Sequence, residues 1–358
     1  MTQPPEQLQS ITTPTVLVDL DVVKRNITRF QTYANKIGMA VRPHIKTHKL
    51  PQIAVMQLAA GAVGITCQKI SEADAMVAAD GRLTDVLITY NILGAEKLAR
   101  LRDLAGRVRL TVVADNAVVI DGLSAAFAAA AAPLRVLVEC NTGADRCGVG
   151  SAKEAAALAR RIANAPGLQF GGLMTYPSTN GAAQVQAFMT QAKMLIEADG
   201  LAVEVVSSGG TPSMMTAGDA PVATEYRPGT YVYNDRSLVA RGVCDWGNCA
   251  LTVLATVVSV PSANRAIIDA GSKALTSDLL GLTGYGQRRA DRACGGRPTA
   301  HRAEPCLRGQ QSVRGGACAG GEKACCGLAG GGARQGDIGH ARLDRGRGLW
   351  VKARWLWR

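Results

Sequence analysis

The sequence predicts an α/β protein, a (β/α)8 barrel followed by a smaller β-rich domain. Between residue 39 and about residue 226, eight short β-branched runs alternate with Ala- and Leu-rich stretches of helical period. Each repeat occupies about 20–30 residues, the length of one strand–helix unit. Polar and glycine-rich turns recur at the ends of the runs, where a barrel of this kind places its chemistry.

The expected barrel strands are Met39–Arg42, Val63–Cys67, Val86–Tyr90, Arg109–Ala114, Leu134–Cys140, Gln169–Thr175, Val203–Ser208 and Ala223–Tyr226. Amphipathic stretches such as Ser71–Ala79, Ala95–Ala105, Lys153–Ala163 and Ala183–Ala198 lie between them. An open doubly wound sheet is the structural alternative. No Gly-x-Gly-x-x-Gly turn follows an early strand to support it. A further strand, Val16–Leu20, precedes the barrel, and Leu251–Val260 and Arg265–Asp269 follow it with no helical stretch between. Residues 1–30 are thus expected to lend a strand to the β domain, 31–240 to form the barrel, and 241–287 to begin the β domain.

Residues 288–358 differ in kind. They carry 13 Arg and 2 Lys against 5 acidic residues, and so supply most of the net charge of +12. Their five cysteines (Cys294, Cys306, Cys318, Cys325 and Cys326) lack paired CxxC spacing, which argues against zinc. Large apolar residues are too sparse there to build a core. Such composition is that of a shifted reading frame in a GC-rich coding sequence, beginning near Gln287, and the charge then carries no functional meaning. Independent clones reading this same frame would overturn that interpretation. No apolar run reaches membrane-span length, and Met1-Thr-Gln-Pro-Pro-Glu6 has no secretory pattern, so a cytoplasmic protein with reduced cysteines and no membrane partner is expected.

The chemistry centres on Arg42-Pro-His-Ile-Lys-Thr-His-Lys49, which sets Lys46 at the end of the first barrel strand between two histidines. Schiff-base chemistry needs an aimed amine whose cationic neighbours favour its neutral form. A basic surface loop is the plainer alternative. Gln68 follows the second strand, Asn141-Thr-Gly-Ala-Asp-Arg146 the fifth, and Tyr176 ends the sixth. The last two strands lead into Ser207-Ser-Gly-Gly-Thr-Pro212 and Arg227-Pro-Gly-Thr-Tyr231. Gly209 and Gly210 permit close backbone approach. Thr211 adds a hydroxyl ahead of an expected helix N-terminus, and Gly229-Thr230 adds N–H groups, a set suited to phosphate. Barrel closure brings the last strands beside the first, so phosphate there and a lysine at Lys46 describe bound pyridoxal phosphate (PLP).

Arg-Pro-His-x-Lys-Thr-His-Lys, Gly-Ile-Thr-Cys-Gln-Lys, Gly-x-x-Arg-Cys-Gly-Val, Ser-Gly-Gly-Thr-Pro and Tyr-Arg-Pro-Gly-Thr-Tyr, in this order over residues 10–287, resemble the D-threonine aldolase / D-serine dehydratase family of alanine-racemase-like PLP enzymes. The resemblance implies that Lys46 carries the cofactor, that Arg146 meets its 3′-oxygen and that Gln68 lines its ring. It also implies that Tyr176 lies close to the ring and that Gly210, Thr211, Gly229 and Thr230 hold the phosphate. Met174 and Asn141 depart from the family's usual residues. The implied reaction is retro-aldol cleavage of a D-β-hydroxy amino acid, D-threonine or 3-hydroxy-D-aspartate, to glycine and an aldehyde. Dehydration of the D-serine or D-3-hydroxyaspartate type is the alternative.

The resemblance also implies a divalent metal held by a His-x-Cys or His-x-Asp pair, and a homodimer formed through the second domain. That pair is absent: the only histidines after His48 are His301, followed by Arg-Ala, and His340, followed by Ala-Arg. Two other readings compete. Loss of the metal pair would suit a non-catalytic PLP-binding protein. A nucleic-acid partner on the basic tail is not expected, because no aromatic residue interleaves with its arginines before Trp350, Trp355 and Trp357.

Overall fold

The computed structural model describes residues 8, 10–262, 265–275 and 282–283, together with the backbone of short strands at Gly286–Arg288, Val313–Gly315, Ala324–Gly327 and Leu349–Trp355. The chain divides into two compact units, residues 24–232 and residues 1–23 with 233–358.

The first unit is the barrel. Its strands are β2 (Ala40–Val41), β3 (Ile65–Cys67), β4 (Asp85–Ile88), β5 (Arg109–Ala114), β6 (Leu134–Cys140), β7 (Leu168–Thr175), β8 (Val205–Ser208) and β9 (Glu225–Tyr226). All pair in parallel, in the order β2-β9-β8-β7-β6-β5-β4-β3. The remaining seam is bridged by Val63 N–H to Val41 O (2.9 Å), Thr66 N–H to Pro43 O (2.8 Å) and a parallel bridge between His44 and Thr66. Most of the strands are apolar on both faces, as parallel strands buried under helices tend to be. Outward residues such as Ile65, Ile88, Val112, Val136 and Val138 pack under the helices, while Leu87, Val113, Leu137 and Met174 form a separate inner cluster.

Helices Ile70–Ala79, Ala95–Ala105, Ala152–Asn164 and Ala182–Ala198 fall within a residue of expectation, joined by Leu20–Lys36, Pro51–Ala59 and Ala117–Phe127. Their starts obey local chemistry. Ser151 and Glu154 form a reciprocal capping box, and the Asn116 side chain accepts from Val119 N–H.

Several boundaries differ for identifiable reasons. The strand expected over Val16–Leu20 is β1 (Thr15–Val18), because Asp19 accepts from Val22 N–H at 3.1 Å and Leu20 opens a helix. The sixth barrel strand stops at Thr175, so Tyr176 is the first loop residue, ahead of Pro177, which has no N–H to extend a ladder. The α-helix expected after Gly-Gly-Thr-Pro is instead a 3₁₀ stretch, Thr211–Asp219, broken at Ser213 and Thr216.

In the second unit β1 pairs antiparallel with β10 (Leu251–Ser262), which pairs with β11 (Arg265–Ile268). The backbone strands at 286–288, 313–315, 324–327 and 349–355 extend the same sheet. Val253, Ala255, Ile268, Ala270 and Leu275 form its core. Among the described residues no helix is long and apolar enough to cross a membrane.

Candidate active site

Lys46 sits in a 3₁₀ turn, Ile45–Thr47, immediately beyond β2. Ile45 is fully buried and anchors the turn. His44 Nδ1 accepts the Lys46 N–H at 3.3 Å, and His48 Nδ1 accepts the Leu50 N–H at 3.1 Å. The two histidines therefore shape the lysine's backbone, and each ring carries its proton on Nε2. Burial, reinforced by the charges of Lys46, Arg227 and Arg146, holds His44 well below the usual imidazole range. Four basic side chains thus share one neighbourhood, with His44 neutral among them.

The last two strands meet this turn as barrel closure requires. His44 N–H donates to Pro228 O at 2.9 Å. A side chain at Gly229 would come within 3.3 Å of His44 O and 3.4 Å of Thr47 Oγ1. Thr211 Oγ1 accepts from both Gly229 N–H and Tyr231 N–H, each at 3.2 Å. The expected phosphate set is thereby revised: Gly229 N–H is already satisfied within the protein. Thr211 retains its O–H hydrogen to donate, and the neighbouring Gly210 and Thr230 are only half-buried.

Arg146 lies over the Tyr176 ring, 4.3 Å from its centroid, in cation–π geometry. Tyr176 in turn borders Gly210, whose absent side chain would lie 3.7 Å from Tyr176 Cε2. Tyr226 Oη donates to Gly210 O at 2.9 Å. Lys46, Arg146, Tyr176, Gly210, Thr211, Gly229 and Thr230 thus fall at one end of the barrel, with Arg146, Tyr176 and Gly210 in one run of contacts and Thr211, Gly229 and the lysine turn in another. Gln68 stands apart. It is exposed beyond β3, its N–H is held by Glu72 Oε2 at 3.0 Å, and none of these contacts runs through its side chain.

Sequence reasoning passed over Glu139 and Arg227. Arg227 is buried and donates to Ser207 Oγ and Thr175 O, both at 2.6 Å. Burial brings its guanidinium down to about 10, against the opposing pull of Glu225 and Glu139. Burial likewise raises Glu139, opposed by Arg146 and Arg227. For Glu139 the signal available was an ionisable residue inside an apolar strand run, Val138-Glu-Cys140; Arg227 offered none beyond its place at the end of a strand.

These residues fit PLP. A strand-end lysine, two arginines and a glycine-threonine cradle pressed against the lysine turn supply an amine, positive charge and close backbone approach. Among the described residues no three His, Cys, Asp or Glu side chains are placed to hold a metal, and His301 and His340 lie outside those residues.

Behind the lysine turn, Gln57 Nε2 donates to Tyr231 Oη at 3.0 Å, while Gln57 Oε1 and His48 Nε2 are buried without a hydrogen-bond partner in strict geometry. His48 is held down to about 4, chiefly by burial. The unfolded chain therefore takes up the proton first, from about pH 6.5 downward. His48 thus leaves stability intact above that pH and lowers it, by up to about 3 kcal/mol, as pH falls toward 4. Urea unfolding at pH 7 and pH 4.5 should show that loss, and His48→Gln should reduce it. Equal losses in the two proteins would contradict this account.

Residues 18–237 match the family model described as alanine racemase, N-terminal domain, and residues 250–318 match a putative serine dehydratase domain. The second match passes the break expected near Gln287. The chain is 36% identical to a D-threonine aldolase from Arthrobacter sp. over 77% of its own length and 76% of that protein's. It is 34% identical to a 3-hydroxy-D-aspartate aldolase from Paracoccus denitrificans, over 75% of the chain and 74% of that protein. Among solved structures, D-threo-3-hydroxyaspartate dehydratase from Delftia sp. HT23 superposes with a TM-score of 0.72 at 32% identity, covering 78% of each chain.

Proposed function

This chain belongs to the alanine racemase N-terminal domain family, among the D-threonine and 3-hydroxy-D-aspartate aldolases, and from that premise we propose that it is a PLP-dependent lyase cleaving a D-β-hydroxy amino acid to glycine and an aldehyde. The observation that carries this reading is the position of Lys46, on a pinned turn in contact with the Gly229-Thr230 turn and sharing its electrostatic neighbourhood with Arg146 and Arg227.

When bound, PLP supplies an electron sink for negative charge at the substrate's α-carbon. Lys46 supplies the amine that bonds the cofactor. Gly210, Thr211 and Thr230 hold its phosphate, with Gly229 keeping the turn against the lysine segment. Arg146, spread flat on Tyr176, presents a planar cation to anionic oxygens. His44 is a poor base, since its Nδ1 is engaged and burial opposes its charging. Lys46 Nζ, the other proton-accepting group of this turn, would be the one to take the proton of the substrate's β-hydroxyl. No step is assigned to a metal. Dehydration is the second reading, favoured by the likeness to the dehydratase structure.

The test is a PLP titration followed by visible absorbance, then borohydride reduction and peptide mapping. Incubation with D-threonine and with 3-hydroxy-D-aspartate follows, each with and without a divalent metal and with the L-enantiomers as controls. Cofactor trapped on Lys46, with glycine and aldehyde from a D-substrate, is the expected result. Keto acid without glycine would establish the dehydratase. Trapping without either product would leave a PLP-binding protein, and no trapping would overturn the assignment of Lys46.

A further inference from the structure

The inside of a (β/α)8 barrel is ordinarily filled by branched apolar side chains. Here one sector departs from that. Arg42, Glu225, Ser207 and Arg227 are all buried, and they form a continuous chain from β2 through β9 and β8 to the end of β9. Arg227 Nη1 donates to Ser207 Oγ at 2.6 Å, and Ser207 Oγ donates to Glu225 Oε1 at 2.5 Å. The other oxygen, Glu225 Oε2, accepts from Arg42 Nε at 2.7 Å, and Arg42 Nη1 donates to Asp85 Oδ1 at 2.6 Å. Every donor and acceptor in this chain is therefore fixed: a serine that donates to a carboxylate has only its lone pairs left for the guanidinium.

The charges alternate along it. Asp85 and Glu225 offset Arg42 and Arg227, so the column is neutral as a whole, and an isolated buried cation is avoided. At its upper end Arg227 also meets Thr175 O and Met174 Sδ, and the next residue, Pro228, accepts the His44 N–H of the lysine turn at 2.9 Å. Arg227 is thus the point at which a network built through the barrel interior reaches the candidate site.

We infer that Ser207, Glu225 and Arg42 are positioning residues that fix the place and charge of Arg227, and through it the affinity of the site for its anionic cofactor. The inference rests on the PLP reading given above. A merely structural buried ion-pair chain would govern stability and leave the affinity of the folded protein alone. A positioning chain governs affinity at temperatures where every variant is folded.

Ser207→Ala and Ser207→Thr separate the two. PLP dissociation constants, taken from visible absorbance well below each variant's melting temperature, are the readout. Removing the hydroxyl takes the acceptor from Arg227 Nη1 and the donor from Glu225 Oε1, and should weaken PLP binding by about tenfold or more. Threonine restores the hydroxyl and should return affinity to within about threefold of wild type. Unchanged affinity in Ser207→Ala, with PLP still trapped on Lys46 in the wild type, would overturn this inference and leave the proposed function standing. A wild-type protein that binds no PLP would overturn both. Should Ser207→Ala fail to fold, Glu225→Gln, of the same size and still an acceptor, should show the same weakening. If that variant also failed to fold, the chain would be structural only.

Discussion

Lys46→Ala should retain its fold, bind PLP without a bond that borohydride reduces, and lose turnover of a D-β-hydroxy amino acid by about a thousandfold or more. The fold is expected to survive because the turn's anchors are elsewhere. Ile45 is buried beside it, and His44 receives the backbone N–H of residue 46, which alanine keeps. The amine itself does the chemistry that no neighbour can supply. The guanidinium groups of Arg146 and Arg227 are no substitute for a primary amine, and His44 resists protonation in its buried, positively charged surroundings. Trapping, melting temperature and turnover measured on the same preparation separate loss of chemistry from loss of fold. Turnover within tenfold of wild type in a variant with no trapped cofactor would remove Lys46 from the mechanism.

That lysine was legible in the sequence because its signal is local: an apolar run, a turn and a fixed pattern of histidines. The barrel was legible for a similar reason, since both-face burial makes parallel strands read as continuous β-branched runs. The site's floor was not. Ser207, Glu225 and Arg42 lie far apart in sequence, and their meeting depends on which strands pair and which faces point inward. Polar residues in strand runs say that something is buried and partnered, without saying with what. The phosphate turn shows a subtler limit. The sequence supplies Thr211 and Gly229 as donors, but only the fold reveals that they bind each other first. Gln68 illustrates the reverse case. Its place at a strand end is right, yet Glu72 holds its backbone, and the side chain joins none of the contacts around Lys46.

The adjacent glycines of the Ser-Gly-Gly-Thr-Pro turn should respond very differently to alanine. Gly209 has φ +137°, and an added Cβ would lie 2.6 Å from Arg227 N and 3.1 Å from Tyr226 Cδ1. Neither neighbour can yield cheaply. Arg227 N–H donates to Ser208 O at 2.9 Å, and the Tyr226 ring is buried against Phe30, 5.7 Å between centroids. Strain and clash together should cost about 2–4 kcal/mol. The displacement falls on the backbone of Arg227, so Gly209→Ala should also weaken PLP binding in whatever fraction remains folded. Gly210 has φ 169°, extended backbone that any residue adopts. Its Cβ would meet Tyr176 Cε2 at 3.7 Å and Pro212 Cδ at 3.8 Å, which are ordinary contacts. Gly210→Ala should therefore fold with stability within about 1 kcal/mol of wild type. Equal melting temperatures for the two variants would refute the conformation assigned to this turn. A large loss confined to Gly209→Ala would tie the geometry of the turn to the placement of Arg227, the same group that the buried column holds from below.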